Sequence, residues 1–196
     1  VVVAFSMLMN MFYSEWIVPL FNKQTPLEEG ELRNAIEKFA NRAGFKLNNI
    51  YVIDGSKRST KANAYFSGLG PKKRIVLYDT LIDDLSTEEI VAVLAHEIGH
   101  YKHKHTWQMM GVSVMNTVLM FFLLSLVLNS SVLAEAMGGG TPSFPLALVA
   151  FGLLYTPLEL LTGIGINALS RRNEYQADAF AASFGLANAL IGGLKK

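Results

Sequence analysis

The pattern of apolar and polar positions first predicts an amphipathic helix near the start of the sequence. Thr25, Pro26 and Glu28 offer an N-cap, a proline for the first helical position and a capping-box acid. Gly44 is typical of a helix end. We therefore expect one helix from about Pro26 to just before Gly44. Its apolar face consists of residues at helical spacing, namely Leu32, Ile36, Phe39, Ala40 and Ala43.

Between Ile50 and Tyr78 the pattern changes to short β-rich runs, which read IYVID, ANAYFS and RIVLYD. Turn-forming sequences separate these runs, DGS at residues 54–56 and GLGP at residues 68–71. We expect these runs to form a small antiparallel sheet.

A second helix is predicted over residues 86–105, because a serine N-cap with a glutamate three residues later precedes apolar residues at helical spacing. On it, His96 and His100 are four residues apart, so both imidazoles can reach one ion, and Glu97 lies beside them. A catalytic zinc site needs two or three neutral ligands, an open position for water and a carboxylate that takes the proton of that water. The motif therefore predicts one zinc ion per chain, bound by both histidines, with Glu97 as the catalytic base.

A third ligand is offered by Glu174, within the segment RRNEYQAD at residues 171–178. Glu174 would complete a site of two histidines and one glutamate. Asp178 lies four residues later on a predicted helix that ends at Gly185. Its carboxylate can accept a hydrogen bond from a ligand histidine and fix the tautomer of that ring.

His103 and His105 are an alternative source of metal ligands. They alternate with lysines directly before a long apolar stretch. Solvation at a membrane interface is therefore favoured over metal binding for both side chains.

Two long apolar stretches predict membrane-spanning helices. Residues 109–134 contain no Asp, Glu, Lys or Arg and exceed the roughly 20 residues that a helix needs to cross a bilayer. A second stretch, residues 144–169, is interrupted by Pro157 and Glu159. Glu159 either lines a water-filled cavity or marks a helix end near Pro157, and the sequence favours neither interpretation.

The loop between these stretches has no Lys or Arg, whereas Lys102 and Lys104 precede the pair and Arg171 and Arg172 follow it. By the positive-inside rule both outer flanks are cytoplasmic. We expect an integral, multi-pass membrane protein whose hairpin brings the two metal-binding segments to the cytoplasmic face.

Composition agrees with a membrane protein, because 51% of the 196 residues are hydrophobic and only 17% are charged. A net charge of +1 provides no field that attracts nucleic acid, so no nucleic-acid partner is expected. The sequence has no cysteine, so only His, Asp and Glu can hold a metal.

Four features in this order resemble the integral-membrane gluzincin metalloproteases, which include the CAAX prenyl endopeptidases and the HtpX-type quality-control proteases. They are VLAHEIGHYKHKHT, LSRRNEYQADAFAASFG, ANAYFSG followed by KRIVLYDTLI, and the apolar hairpin between the two metal motifs. The resemblance spans roughly residues 25–190 and implies that Glu174 is the third zinc ligand and that peptide bonds are cleaved. It also implies that Asn63 and Ala64 lie on an edge strand against which the substrate backbone pairs.

The expected fold class is α+β, a mostly helical zincin-type core with a small antiparallel sheet and an inserted transmembrane hairpin. The sequence begins with Val rather than Met, so we expect a piece of a longer protein, with residues 1–24 as a truncated membrane or interfacial segment. Residues 25–108 are the N-terminal part of the protease domain. Residues 109–170 are the hairpin, and residues 171–196 carry the third ligand.

The expected function is a membrane-bound zinc endopeptidase with a peptide or protein substrate. That substrate is either a membrane-anchored, prenylated C-terminal peptide or a misfolded membrane protein, and the sequence does not separate the two. An inactive membrane scaffold is a further alternative. The presence of Glu97 together with all three ligands argues against it. A metal transporter or sensor using Glu159 would need ligands at mid-membrane, whereas His96 lies about 20 Å before Met109 along a predicted continuous helix.

Overall fold

The computed structural model describes residues 24–47, 49–54, 64–67 and 74–195. Of the expected membrane or interfacial segment, only its last residue is among them. The described residues form two compact units. The first unit comprises the described residues up to His103 together with those from Tyr175 onward. The second unit is the segment from Lys104 to Glu174.

A small sheet lies in the first unit. Its four strands are β1 (Gln24–Pro26), β2 (Asn49–Ile53), β3 (Ala64–Ser67) and β4 (Arg74–Tyr78). The strand order is β1-β2-β4-β3, and the outer pairs are antiparallel, but β2 and β4 are parallel. The predicted antiparallel arrangement is therefore wrong at the centre of the sheet. Turn-forming residues mark where a strand ends, but they do not determine its next neighbour, and here the chain forms the outer strand β3 before β4.

The first helix, α1 (Glu31–Arg42), begins later than the sequence predicts. Two of the residues expected to cap it, Thr25 and Pro26, instead pair with β2. The Leu27 N–H donates to a β2 carbonyl at 2.9 Å, and Thr25 Oγ1 donates to another at 3.4 Å. This pairing satisfies backbone groups and overrides the local cap signal. The predicted end is confirmed, because Gly44 follows the helix with a φ of +61°.

The helix that carries the histidine motif is α3 (Thr87–Lys102), which follows the short helix α2 (Asp79–Asp84). Its predicted capping box is confirmed. Ser86 Oγ accepts a hydrogen bond from the backbone N–H of Glu89 at 3.3 Å, and Glu89 Oε2 accepts one from the Ser86 N–H at 2.8 Å. Two donors at the helix start are thus satisfied reciprocally.

The predicted continuation of α3 to His105 is wrong. Lys104 adopts a left-handed conformation with a φ of 57°, and a separate helix, α4 (His105–Leu128), follows it. His103 is exposed, whereas His105 is buried, so the predicted solvation of His105 is also wrong. The prediction for both histidines assumed one regular helix through this segment. The left-handed residue Lys104 instead redirects the side chains that follow it.

Within the described residues, two helices are long and apolar enough to cross a membrane, α4 and the 40-residue α6 (Phe144–Ser183). A short helix, α5 (Ser131–Ala136), lies between them in the sequence. The first apolar helix ends at Leu128, before the predicted residue 134, because Ser130 caps α5 instead.

α6 continues through Pro157 without a break, so the interpretation of Glu159 as a helix end is wrong. A proline is tolerated inside long apolar helices when neighbouring groups satisfy the freed carbonyl. The predicted second span and the predicted third-ligand helix are therefore parts of one helix. This helix ends just before Gly185, which has a φ of +81° as predicted for a terminating glycine.

The core of the first unit forms between the sheet, α1, α3 and a last helix, α7 (Ala187–Leu194). Strand residues with no exposed surface meet apolar side chains from α1 and α3 there. Burial of the apolar face of α3 against the sheet and α1 holds this helix in place. The largest fully buried side chains are Ile36, Ile50, Ile53, Ile75, Val76, Leu77, Ile90, Leu94 and Ile98.

Candidate metal centre

α3 buries one face in the core and leaves its polar motif on the other. His96, Glu97 and His100 are half-buried. A helix places residues three and four apart on one side, so the apolar and polar positions of this segment separate cleanly. The core-facing residues around the motif are Leu94, Ala95 and Ile98.

The imidazole rings of His96 and His100 converge on one point. Their Nε2 atoms are 3.0 Å apart, and the ring centroids are 4.7 Å apart. Two nitrogens that each lie about 2.0–2.1 Å from a tetrahedral ion are separated by about 3.3–3.4 Å. The observed separation is close to that value, so small movements would allow both rings to bind one ion.

Asp178 on α6 contacts the other nitrogen of His96. Its Oδ1 lies 2.8 Å from His96 Nδ1. A carboxylate in this position accepts the Nδ1–H, which directs the lone pair of the ring to Nε2. His96 is therefore oriented with its metal-binding nitrogen towards His100.

Glu174 lies one helical turn before Asp178 on α6. Ligand atoms of His96, His100 and Glu174 all lie within 4.8 Å of one another. Two imidazole nitrogens and one carboxylate oxygen are a donor set used by catalytic zinc sites, in which water takes the fourth position. The residues present therefore fit a zinc ion in number, type and spacing.

The two residues expected to bind substrate are only partly covered by the structure. Asn63 lies outside the described residues. Ala64 is the first residue of β3, is buried, and pairs with Leu77 of β4. β3 is the outer strand on its side of the sheet and contacts α3. This edge strand and the histidine helix are therefore neighbours in the first unit.

Sequence reasoning did not identify two residues beside the motifs, Gly99 and Asn173. Gly99 packs closely against α6. Asn173 is buried, and its Nδ2 has no hydrogen-bond partner among the described residues. The signal for Gly99 was a glycine inside a helix, which is unfavourable unless packing requires it. Nothing in the sequence pattern indicated the burial of Asn173, which adjoins two arginines and a glutamate.

Comparison with known proteins gives several extensive matches. CAAX prenyl protease 1 of Saccharomyces cerevisiae is 44% identical over 196 residues, covering 90% of this chain and 43% of that protein. The CAAX prenyl protease 1 homolog of Arabidopsis thaliana is 45% identical over 193 residues, covering 97% of this chain and 45% of that protein. The chain thus spans about half the length of these relatives.

A solved structure and a family model agree with these matches. The crystal structure of S. mikatae Ste24p superposes with a TM-score of 0.84 at 42% identity, covering 98% of this chain and 48% of that one. This match confirms the predicted mostly helical α+β fold. The model of peptidase family M48 matches residues 26–192, and this family implies a metal ion. The family resemblance inferred from the sequence is confirmed, and the chain belongs to peptidase family M48.

Proposed function

We propose that the chain is the catalytic part of a membrane-bound zinc endopeptidase. The observation that carries this proposal is the convergence of His96, His100 and Glu174, whose ligand atoms lie within 4.8 Å of one another. These residues come from two separate helices and supply the donor set of a hydrolytic zinc site. Because all three side chains converge on one point, we assign a hydrolytic reaction to the chain as well as a fold.

In the proposed mechanism, His96, His100 and Glu174 hold the ion. Zinc, when bound, acts as a Lewis acid and makes a water molecule acidic enough to be deprotonated near neutral pH. Glu97 follows His96 directly and is half-buried beside it. Its carboxylate takes the proton from the attacking water and returns it to the nitrogen of the leaving amine. Asp178 holds His96 in the tautomer that presents Nε2.

The proposed substrate-binding edge is β3, which begins at Ala64. Asn63, which directly precedes Ala64 in the sequence, is proposed to contribute to the same edge. An outer strand has unpaired backbone N–H and C=O groups along its free edge. An extended peptide can pair with these groups in a way that depends little on the sequence of the peptide. The contact between β3 and α3 supports this choice, because a peptide bound along the strand would pass near the histidine helix.

The proposed location is a membrane, with α4 and α6 crossing it and the metal centre on the cytoplasmic side. α4 has 24 residues and therefore extends about 36 Å, more than the roughly 30 Å of a hydrocarbon core. Many of its apolar side chains are exposed, which suits contact with lipid. The hairpin at residues 109–170 would then separate the two sequence segments of the protease domain, residues 25–108 and 171–196.

The proposed substrate is a prenylated C-terminal peptide of a membrane-anchored protein. The relatives named CAAX prenyl protease 1 support this choice. A quality-control role on misfolded membrane proteins, like that of HtpX-type proteases, is the competing assignment. Matched peptides with and without the prenyl group distinguish the two, because only the first role predicts strong preference for the prenylated peptide.

The test uses purified protein in detergent. Metal analysis should find one zinc per chain, and cleavage of a prenylated peptide should stop with a chelator and return with added zinc. Protein that is folded but binds no zinc, or that cleaves equally well after complete zinc removal, would overturn the proposal.

A further inference from the structure

α3 and α6 approach each other unusually closely at Gly99. A Cβ atom built on Gly99 would lie 2.9 Å from Ala177 Cα, 3.1 Å from Phe180 Cβ and 3.2 Å from the Ala177 carbonyl oxygen. The first distance is shorter than real Cβ contacts, and two of the three neighbours are backbone atoms that cannot rotate away. Any side chain at this position therefore forces the helices apart.

This contact adjoins the hydrogen bond that orients a metal ligand. Gly99 lies between His96 and His100 on α3, and Ala177 directly precedes Asp178 on α6. The His96 Nδ1 to Asp178 Oδ1 distance of 2.8 Å depends on the separation of the same two helices. Hydrogen bonds from nitrogen to oxygen have donor–acceptor distances of about 2.7–3.2 Å, and they weaken steeply when the bond angle falls below about 120°. A change in the helix separation alters both quantities.

We propose that Gly99 is a positioning residue of the metal centre, which acts by setting the distance between α3 and α6 so that Asp178 can hold His96. The inference rests on the proposed zinc site and adds a residue that does not contact the ion. A glycine normally destabilises the interior of a helix, and replacement by alanine normally stabilises it. At Gly99 the opposite holds, because the added methyl group would collide with the backbone of α6.

The first test compares zinc affinity in Gly99→Ala with that in Gly152→Ala, measured by competition with a chromophoric chelator. Gly152 is a matched control, since a Cβ built there meets nothing within 4 Å. We expect Gly99→Ala to weaken zinc binding about tenfold or more, in the range found when a partner of a metal-binding histidine is removed. Gly152→Ala should bind zinc as the unmodified chain does.

The second test asks whether Gly99 acts through Asp178, which a merely structural role would not predict. Zinc affinity is measured for Gly99→Ala, Asp178→Asn and the double variant. We expect the double variant to lose much less affinity than the product of the two single losses, because the bond that Gly99 protects is already absent. Losses that multiply independently would overturn the inference.

Ala177→Ser is a second variant that tests the proposal if Gly99→Ala does not fold. Ala177 has no exposed surface, and its Cα and carbonyl oxygen are the backbone atoms nearest to Gly99. An oxygen added to its side chain must therefore be accommodated in the packed surroundings of this helix contact. We expect a smaller but measurable loss of zinc affinity in folded protein, whereas unchanged affinity would contradict the proposal.

Failure of the unmodified chain to bind zinc would overturn the metal centre itself. Normal zinc binding by both the unmodified chain and Gly99→Ala would overturn only the role of Gly99.

Discussion

His96 Nδ1 lies 2.8 Å from Asp178 Oδ1, although 82 positions separate these residues in the sequence. The bond joins the two helices that carry the proposed zinc ligands. Because the Asp178 carboxylate accepts the Nδ1–H of His96, the lone pair that can bind a metal lies on Nε2.

Replacing Glu97 by Gln should preserve zinc binding and abolish most of the cleavage. The amide has nearly the same shape as the carboxylate but cannot accept the proton of the attacking water. General-base catalysis contributes about 10²–10⁴-fold to rate, so kcat should fall by at least this range. The measurement is peptide cleavage with parallel zinc analysis, and a variant that retains full activity would refute the role of Glu97.

Replacing Glu174 by Gln should weaken zinc binding strongly, because the anionic ligand is lost from a site with only three protein ligands. Zinc content after dialysis against a weak chelator measures the effect. Glu135→Gln is the matched control, since Glu135 is an exposed acid on α5 outside the site. Equal zinc retention by the two variants would exclude Glu174 as a ligand.

Replacing Ser86 by Ala should destabilise the first unit by about 0.5–2 kcal/mol, because the N-cap of α3 loses its side-chain acceptor. Urea unfolding in detergent, followed by circular dichroism, measures the free energy of unfolding. Glu88→Gln is the control, as it changes an exposed neighbour within the same turn. A loss no larger than that of the control would show that the capping box contributes little.

Replacing Asn173 by Leu should stabilise the folded chain by about 1 kcal/mol. Its buried Nδ2 lacks a hydrogen-bond partner among the described residues, and an unsatisfied buried donor costs about 1–3 kcal/mol. Thermal unfolding should show a higher midpoint than for the exposed-site control Asn188→Leu. A lower midpoint would mean that the Asn173 amide makes a stabilising bond.

The features predicted well from sequence depend on residues close together in the chain. The capping box at Ser86 requires a partner only three residues away, and the spacing of His96 and His100 follows from one helical turn. Glu174 was predicted as the third ligand because its segment supplies a carboxylate on a predicted helix, and the family resemblance implies the same role. Its distance along the chain from the histidines gives no local signal.

The features that sequence reasoning missed depend on contacts between distant segments. The parallel pairing of β2 with β4 and the pairing of Thr25 with β2 are long-range choices that local propensity does not encode. The close approach at Gly99 likewise depends on Ala177, which belongs to another helix. The left-handed backbone at Lys104 was missed because lysine rarely adopts it.

The most direct test of the central claim is a crystal structure of the zinc-loaded protein with anomalous data collected on both sides of the zinc absorption edge. We expect one peak per chain, about 2.0–2.2 Å from His96 Nε2, a ring nitrogen of His100 and a carboxylate oxygen of Glu174. A zinc peak bound elsewhere, or one at the histidines with the Glu174 carboxylate turned away, would contradict the proposed centre.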